Sequence, residues 1–249
     1  MHLDFNGEVK GHSFVLRCLP KQNACQHITK LSCQINPVAS ITKATDCFGN
    51  LLCYGYIDEP HSDFSFRVTG TAVTNSENVD MSPLNPLYNY LTPQTLLTSG
   101  AEAYLDLAVK MRDPIQKALV MSGELYRNFE YKSGTTTTTT TAQQALDQGH
   151  GVCQDYSHIL IGLCRMSKIP ARYIAGFMYG EGATHAWVEI YARGHWIGID
   201  PTNNRVVDDK YIKLSEGRDA SDCIIDKGVF FGTAKQVQTV SVRVSEEKL

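Results

Sequence analysis

From residue 1 to about 75, apolar and polar positions alternate in short stretches, HSFVLRCL, HITKLSCQI, NLLCYGYI and DFSFRVTGTAV. Turn residues such as Pro20-Lys21-Gln22-Asn23 and Phe48-Gly49-Asn50 separate them. Alternation of period two bounded by turn formers predicts strands, and several short strands at this spacing predict a small β-sandwich. Residues 76–95 carry three prolines and read as an irregular crossing, because proline restricts both itself and the residue before it. From about 94 to 130 the period becomes helical. Leu96, Leu97, Tyr104, Leu107, Ala108 and Met111 form one set, and Ile115, Leu119, Leu125 and Phe129 a second. Pro114 sits where the second helix begins, a position at which its missing N–H costs nothing.

A run of seven threonines, 135–141, reads as an exposed loop. Thr141 is placed to N-cap a short helix, AQQALDQ, that Gly149 ends. His150, Gly151 and Val152 then form a tight connection into Cys153. From 153 to 168 one helical stripe runs through Tyr156, Ile159, Leu160, Leu163 and Ser167, and Ile169-Pro170 stops it. The pattern returns to β in ARYIAGFMY, THAWVEIY and HWIGID, with two further short strands expected within 229–244. The division drawn from this is a β-rich domain over 1–78 and an α+β unit over 79–249.

Composition narrows the function classes. A chain of 249 residues with 43% hydrophobic and 20% charged residues is ordinary for a globular protein. A formal net charge of −3 supplies no electrostatic reason for a nucleic-acid partner or an anionic membrane surface. The apolar runs are too short to span a bilayer, and the first twelve residues have no signal-type apolar stretch, so a cytoplasmic location is expected. None of the eight cysteines is spaced as CxxC, so small buried thiols are expected rather than a metal site, and no cofactor is expected.

Three residues carry candidate chemistry. A cysteine at the start of a helix lies beside backbone N–H groups that no earlier turn satisfies, and that positive end of the helix dipole favours thiolate. Cys153 fits this position, and Gly151 before it leaves room for a substrate; the alternative is a buried structural cysteine. His185, Trp187, Glu189 and Tyr191 share one face of their strand, and Ala186, Val188 and Ile190 the other. With a two- or four-residue turn around Arg193-Gly194, Trp187 falls opposite Asp200, and His185 becomes its diagonal neighbour on the same face. A three- or five-residue loop would put Asp200 on the wrong face. A histidine takes the thiol proton and returns it to a leaving amine, and a carboxylate orients the ring and favours its charged form.

GHGVCQDYSHILIGLCRMSKIPARYIAGF, THAWVEIY and GHWIGIDPTNN together resemble the core of bacterial transglutaminase-like enzymes, a group described as candidate cysteine proteases. The matching blocks are Gly151-Val152-Cys153, His185-Ala186-Trp187 and Trp196 through Asp200-Pro201-Thr202. DCFGNLLCYGYIDEPHSDFSFRV resembles the β-rich N-terminal domain found ahead of that core, and DASDCIIDKGVFFG its C-terminal end. The resemblance implies a papain-like fold, a helix bundle packed on an antiparallel sheet behind a small all-β domain. It also implies a triad of Cys153, His185 and Asp200, with the Cys153 N–H donating to an oxyanion. Gly151, Gln154, Trp187 and Trp196 are the candidate substrate-binding residues, although packing is the plainer role for at least one tryptophan. The expected activity is attack on a peptide or glutamine amide through a thioester. Hydrolysis is preferred over isopeptide formation by a transglutaminase, and a non-catalytic peptide-binding module is the alternative from another class. The expected partner is a protein or peptide substrate.

Overall fold

The computed structural model describes residues 1–90 and 92–247. The N-terminal region contributes β1 (His2–Leu16), β2 (Gln26–Asn36), β3 (Ile41–Thr45), β4 (Leu51–Ile57) and β5 (His61–Thr74), in the order β2-β5-β1-β4-β3. The first part of β1 pairs with β5 and its last part with β4, so one long strand belongs to two layers. Leu3, Phe5, Val9, Phe14, Leu16, Phe64 and Phe66 fill the core between them.

The crossing segment has short 3-10 turns at Pro86–Asn89 and Pro93–Thr95. Helix α1 (Glu102–Val109) starts later than the period beginning at Leu96 predicts. The Gln143 carboxamide oxygen accepts from the N–H groups of Thr98 and Ser99, and Gly100 has φ +72°, so the chain turns there instead of coiling. Helix α2 (Pro114–Asn128) begins at the proline as expected. A two-residue strand, β6 (Glu130–Tyr131), leads to the threonine loop. In α3 (Ala142–Gln148) Thr141 and Gln144 form a reciprocal capping box, and Gly149 closes the helix at φ +74°.

Beyond it, β7 (His150–Gly151) pairs with β6, and α4 (Cys153–Met166) follows at once. The predicted single stripe understates this helix: every residue from Asp155 to Cys164 is buried. It is the central helix of its domain, with α2, α3 and the sheet around it, so no side is left for solvent. Gly162 meets the crossing segment there, and a β-carbon would fall 2.7 Å from the Thr95 carbonyl oxygen.

The remaining strands are β8 (Ala171–Met178), β9 (Gly180–Gly182), β10 (His185–Ala192), β11 (His195–Asp200), β12 (Arg205–Val206), β13 (Tyr211–Gly217), β14 (Asp226–Phe231), β15 (Gln236–Thr239) and β16 (Val242–Val244). The core sheet is antiparallel, in the order β12-β11-β10-β8-β13. Alternation splits its faces: Tyr173, Ala175, Ala186, Val188 and Ile190 join the core shared with Ile159, Leu160 and Leu163 of α4. The other face carries Arg172, Trp187, Glu189 and Lys213, and the N-terminal region docks beside it. Gln26 Nε2 donates to the Lys213 carbonyl at 2.7 Å, and Asn50 Nδ2 to that of Glu216 at 2.7 Å.

The tail forms three strands where two were expected. Strands β14 and β15, grouped by sequence order with residues 79–249, both pair with β1, and β16 pairs with β9. Among the described residues, no helix is long and apolar enough to cross a membrane.

Candidate active site

Cys153 is the first residue of α4. Asp155 secures that end of the helix, its Oδ2 accepting from the Val152 N–H at 2.8 Å and from Thr136 Oγ1 at 2.7 Å. This carboxylate explains Gly151 directly. A β-carbon there would lie 2.5 Å from Asp155 Oδ2, so the glycine is required by the cap, whatever room it leaves for a ligand. Cys153 is only partly buried, Gln154 likewise.

His185 opens β10 and Asp200 closes β11. The turn between these strands holds two residues, Arg193 and Gly194, both at positive φ, and Ala192 pairs with His195. Pairing continues to Val188 with Ile199, which places His185 diagonal to Asp200 as the two-residue register predicts. The imidazole Nε2 and Asp200 Oδ2 are 2.7 Å apart. Asp200 is fully buried, so a carboxylate there requires donors. Oδ2 also accepts from Asn203 Nδ2 and Tyr211 Oη, each at 2.7 Å. Oδ1 accepts from the backbone N–H groups of Thr202 at 2.9 Å and Asn203 at 3.2 Å.

These contacts set the charge states. Burial alone would raise the Asp200 pKa, but the bonds from His185, Asn203 and Tyr211 and the His185 charge outweigh it and hold it below the usual carboxylate range. For His185 burial acts to lower the pKa. The hydrogen bond to Asp200, that to Cys153 and the two opposite charges overcome it, raising the ring to about 9. Nε2–H is committed to Asp200, which leaves Nδ1 for the sulfur. Tyr131, exposed on β6, lies close enough to Cys153 for a charge there to oppose ionisation of its phenol, after burial the second cause of its raised pKa.

The structure separates the two tryptophans. Trp187 is buried beside His185 and Tyr211, 6.4 Å from the first ring and 5.4 Å from the second. Trp196 lies elsewhere, buried against Tyr88 and Tyr191, with the Arg172 guanidinium 3.8 Å above its ring. Among the other histidines, His158 is fully buried and accepts from the Ala220 N–H at 3.0 Å. All eight cysteines are free. The carboxylates of Asp80, Glu189 and Glu216 converge within 4.8 Å. Arg172, Lys213 and Lys21 already pair with them, so the cluster is charge-balanced and its chemistry does not call for a metal ion.

Two residues with direct contacts at the site, Asn203 and Tyr211, were not singled out by sequence. Asn203 stands in the DPTNN turn, where a side-chain amide close to Asp200 was readable; Tyr211 lies on another strand and left no local signal.

Residues 105–201 match the transglutaminase-like superfamily, and residues 1–73 match the bacterial transglutaminase-like N-terminal region. The chain thus carries a transglutaminase-like core behind a bacterial transglutaminase-like N-terminal region. Among similar solved structures is that of a candidate cysteine protease from Cytophaga hutchinsonii, at a TM-score of 0.78 and 25% identity, covering 100% of this chain and 91% of that one. An uncharacterized protein of Mycobacterium tuberculosis is 27% identical over 90% of this chain and 84% of its own length. Another from Mycobacterium leprae is 26% identical over 92% and 90%. The superfamily core spans the start of α4, β10 and the end of β11, so Cys153, His185 and Asp200 all fall inside it.

Proposed function

We propose that the protein is a cysteine-dependent amide hydrolase acting through Cys153, His185 and Asp200. The observation that carries this reading is the 2.7 Å His185–Asp200 bond, with the other ring nitrogen left for a sulfur at the first position of a helix. The match to the superfamily core and the likeness to the Cytophaga protein support it.

In the proposed cycle the sulfur attacks a substrate amide carbon while His185 holds the thiol proton. The oxyanion accepts from the Cys153 backbone N–H, which has no partner one turn earlier in its helix; losing such a donor costs about 3–4 kcal/mol in comparable sites. Collapse breaks the carbon–nitrogen bond, His185 delivers its proton to the leaving amine or ammonia, and a thioester remains. Water then attacks with His185 as base, releasing the carboxylic acid and regenerating the thiol. A primary amine in place of water would make an isopeptide bond at the same site.

Two measurements test this. Alkylation of Cys153 by iodoacetamide is expected to be fast near neutrality and to lose that rate in His185→Ala; equal rates in both proteins would remove the basis for an activated sulfur. Mass spectrometry of a peptide library, with and without an added primary amine, reads the reaction itself. Cleaved peptides are the expected products. A one-dalton gain identifies deamidation, an amine adduct identifies transfer, and an unchanged library supports the binding-module alternative.

A further inference from the structure

Tyr211 stands at the start of β13, paired with Met178 of β8, and is 4% exposed. Its hydroxyl donates to Asp200 Oδ2 at 2.7 Å, the same oxygen that His185 Nε2 and Asn203 Nδ2 address at 2.7 Å. Its ring meets Trp187 edge-on at 5.4 Å and lies 6.1 Å from the His185 ring. A phenol with one buried acceptor and aromatic walls has little freedom to turn, so the oxygen it holds is fixed as well.

We propose that Tyr211 is a positioning residue of the triad, one that pins the Asp200 oxygen facing His185 and limits how strongly that oxygen draws on the ring's proton. This rests on the function proposed above. The physical argument concerns sharing. Each donor on a carboxylate oxygen stabilises its negative charge and makes it a weaker acceptor for the others. Asp200 on its own would bind the imidazolium proton tightly, which aids formation of a charged pair but hinders return of that proton to the leaving nitrogen. A general acid works best when its pKa lies near the working pH. Tyr211 opposes the bias by taking part of the oxygen's capacity. It acts through Asp200 and His185.

The groups that face this cluster come from four elements. Cys153 on α4 and Asp200 on β11 face His185, and Arg205 on β12 and Asp208 in the following turn lie near Tyr211. Because Cys153 and His185 exchange a proton, the test removes the sulfur. In a Cys153→Ala background, His185 titrates alone and is followed by NMR of ring-labelled histidine. Tyr211→Phe is expected to move the His185 midpoint upward by roughly half a pH unit, because Asp200 then serves one donor fewer. Replacing Tyr211 by 3-fluorotyrosine keeps the shape and strengthens the donor, and is expected to move the midpoint downward. This second protein keeps the test open should Tyr211→Phe fail to fold. A residue that merely fills space would change the melting temperature and leave both midpoints where they were. An unmoved or lowered midpoint in Tyr211→Phe, or no downward shift with the fluorinated ring, overturns the proposal. The titration reads the His185–Asp200–Tyr211 linkage whether or not Cys153 proves to be a nucleophile, so its failure is distinct from a failed alkylation test.

Discussion

Two polar clusters occupy one face of the same strand, β10, and they are built to opposite ends. At Glu189, Arg172 is answered on every side: Nε meets Glu189 Oε2 at 2.8 Å, Nη1 meets Glu216 Oε1 at 3.0 Å, and Nη2 meets Asp80 Oδ2 at 2.7 Å. Lys213 and Lys21 complete the balance. Every charge there is paired with an opposite one. At His185, four residues earlier, Asp200 is just as heavily satisfied, but the ring's second partner is the partly exposed Cys153 thiol rather than a fixed charge. Buried charge by itself is therefore no sign of chemistry. The distinguishing feature is a titratable ring whose second partner is itself a titratable, partly exposed thiol.

Mutations should separate the two ends. The largest effect is expected from Asp200→Asn, which turns the carboxylate paired with His185 into an amide; the proposed hydrolysis of library peptides should fall by roughly 10²–10⁴-fold. Melting of that variant should change far less than its rate. At the other cluster, Arg172→Met should cost about 3–5 kcal/mol in chemical denaturation, because it strands buried carboxylates without their partner. Alkylation of Cys153 in the folded fraction should stay within about twofold of the parent, since the charged groups of that cluster pair with one another rather than with His185 or Asp200. A common loss of both stability and thiol reactivity in Arg172→Met would mean that the clusters are coupled.

A smaller effect is expected at the cap. Gly151→Ala must displace the Asp155 carboxylate, and overpacking of this kind costs about 1–3 kcal/mol. Val152 loses its side-chain acceptor in the process, so thiol reactivity should drop together with stability.

The subtlest contrast lies between two histidines. Burial lowers the His158 pKa to about 4, with the Asp219 charge opposing and the Arg165 charge assisting, whereas His185 is raised to about 9. For His158 the unfolded chain takes up a proton near pH 6.5 and the folded one does not, so stability is present above 6.5 and is lost as the pH falls through 4. For His185 the folded state holds the proton more tightly, so its contribution is complete below 6.5 and disappears as the pH rises through 9. Denaturation midpoints across pH should thus lose their acid limb in part in His158→Gln and their alkaline limb in part in His185→Gln. Interchanged limbs would show that the two environments are assigned the wrong way round.

What the sequence makes legible follows from the range of the interactions. The Thr141 cap, the stop at Gly149 and the start of α4 depend on neighbours within a few residues, and each was visible in the local pattern. The His185–Asp200 register depends on the turn length alone, which Arg193-Gly194 signals. The Arg172–Glu189 pair was open to the same treatment, because these residues sit directly opposite each other on β8 and β10. Tyr211 was not open to it: the loop from Asp200 must cross the sheet before β13 aligns beside β8, and no periodicity encodes that. The single stripe expected for α4 failed for a related reason, since a helix enclosed on all sides obeys packing around it rather than an inside–outside alternation. The helical period from 94 is overridden by a side chain, Gln143, acting on Thr98 and Ser99 from 44 or more residues away.

The return of β14 and β15 to β1 has a practical meaning for anyone handling the protein. Strand β1 is flanked by segments more than two hundred positions later, so the two halves are fastened as a clasp is, by late strands led back to an early one. A cut near residue 78 would therefore yield a front piece with open strand edges and a rear piece with orphaned ribbons, both inclined to stick to whatever strand they meet next.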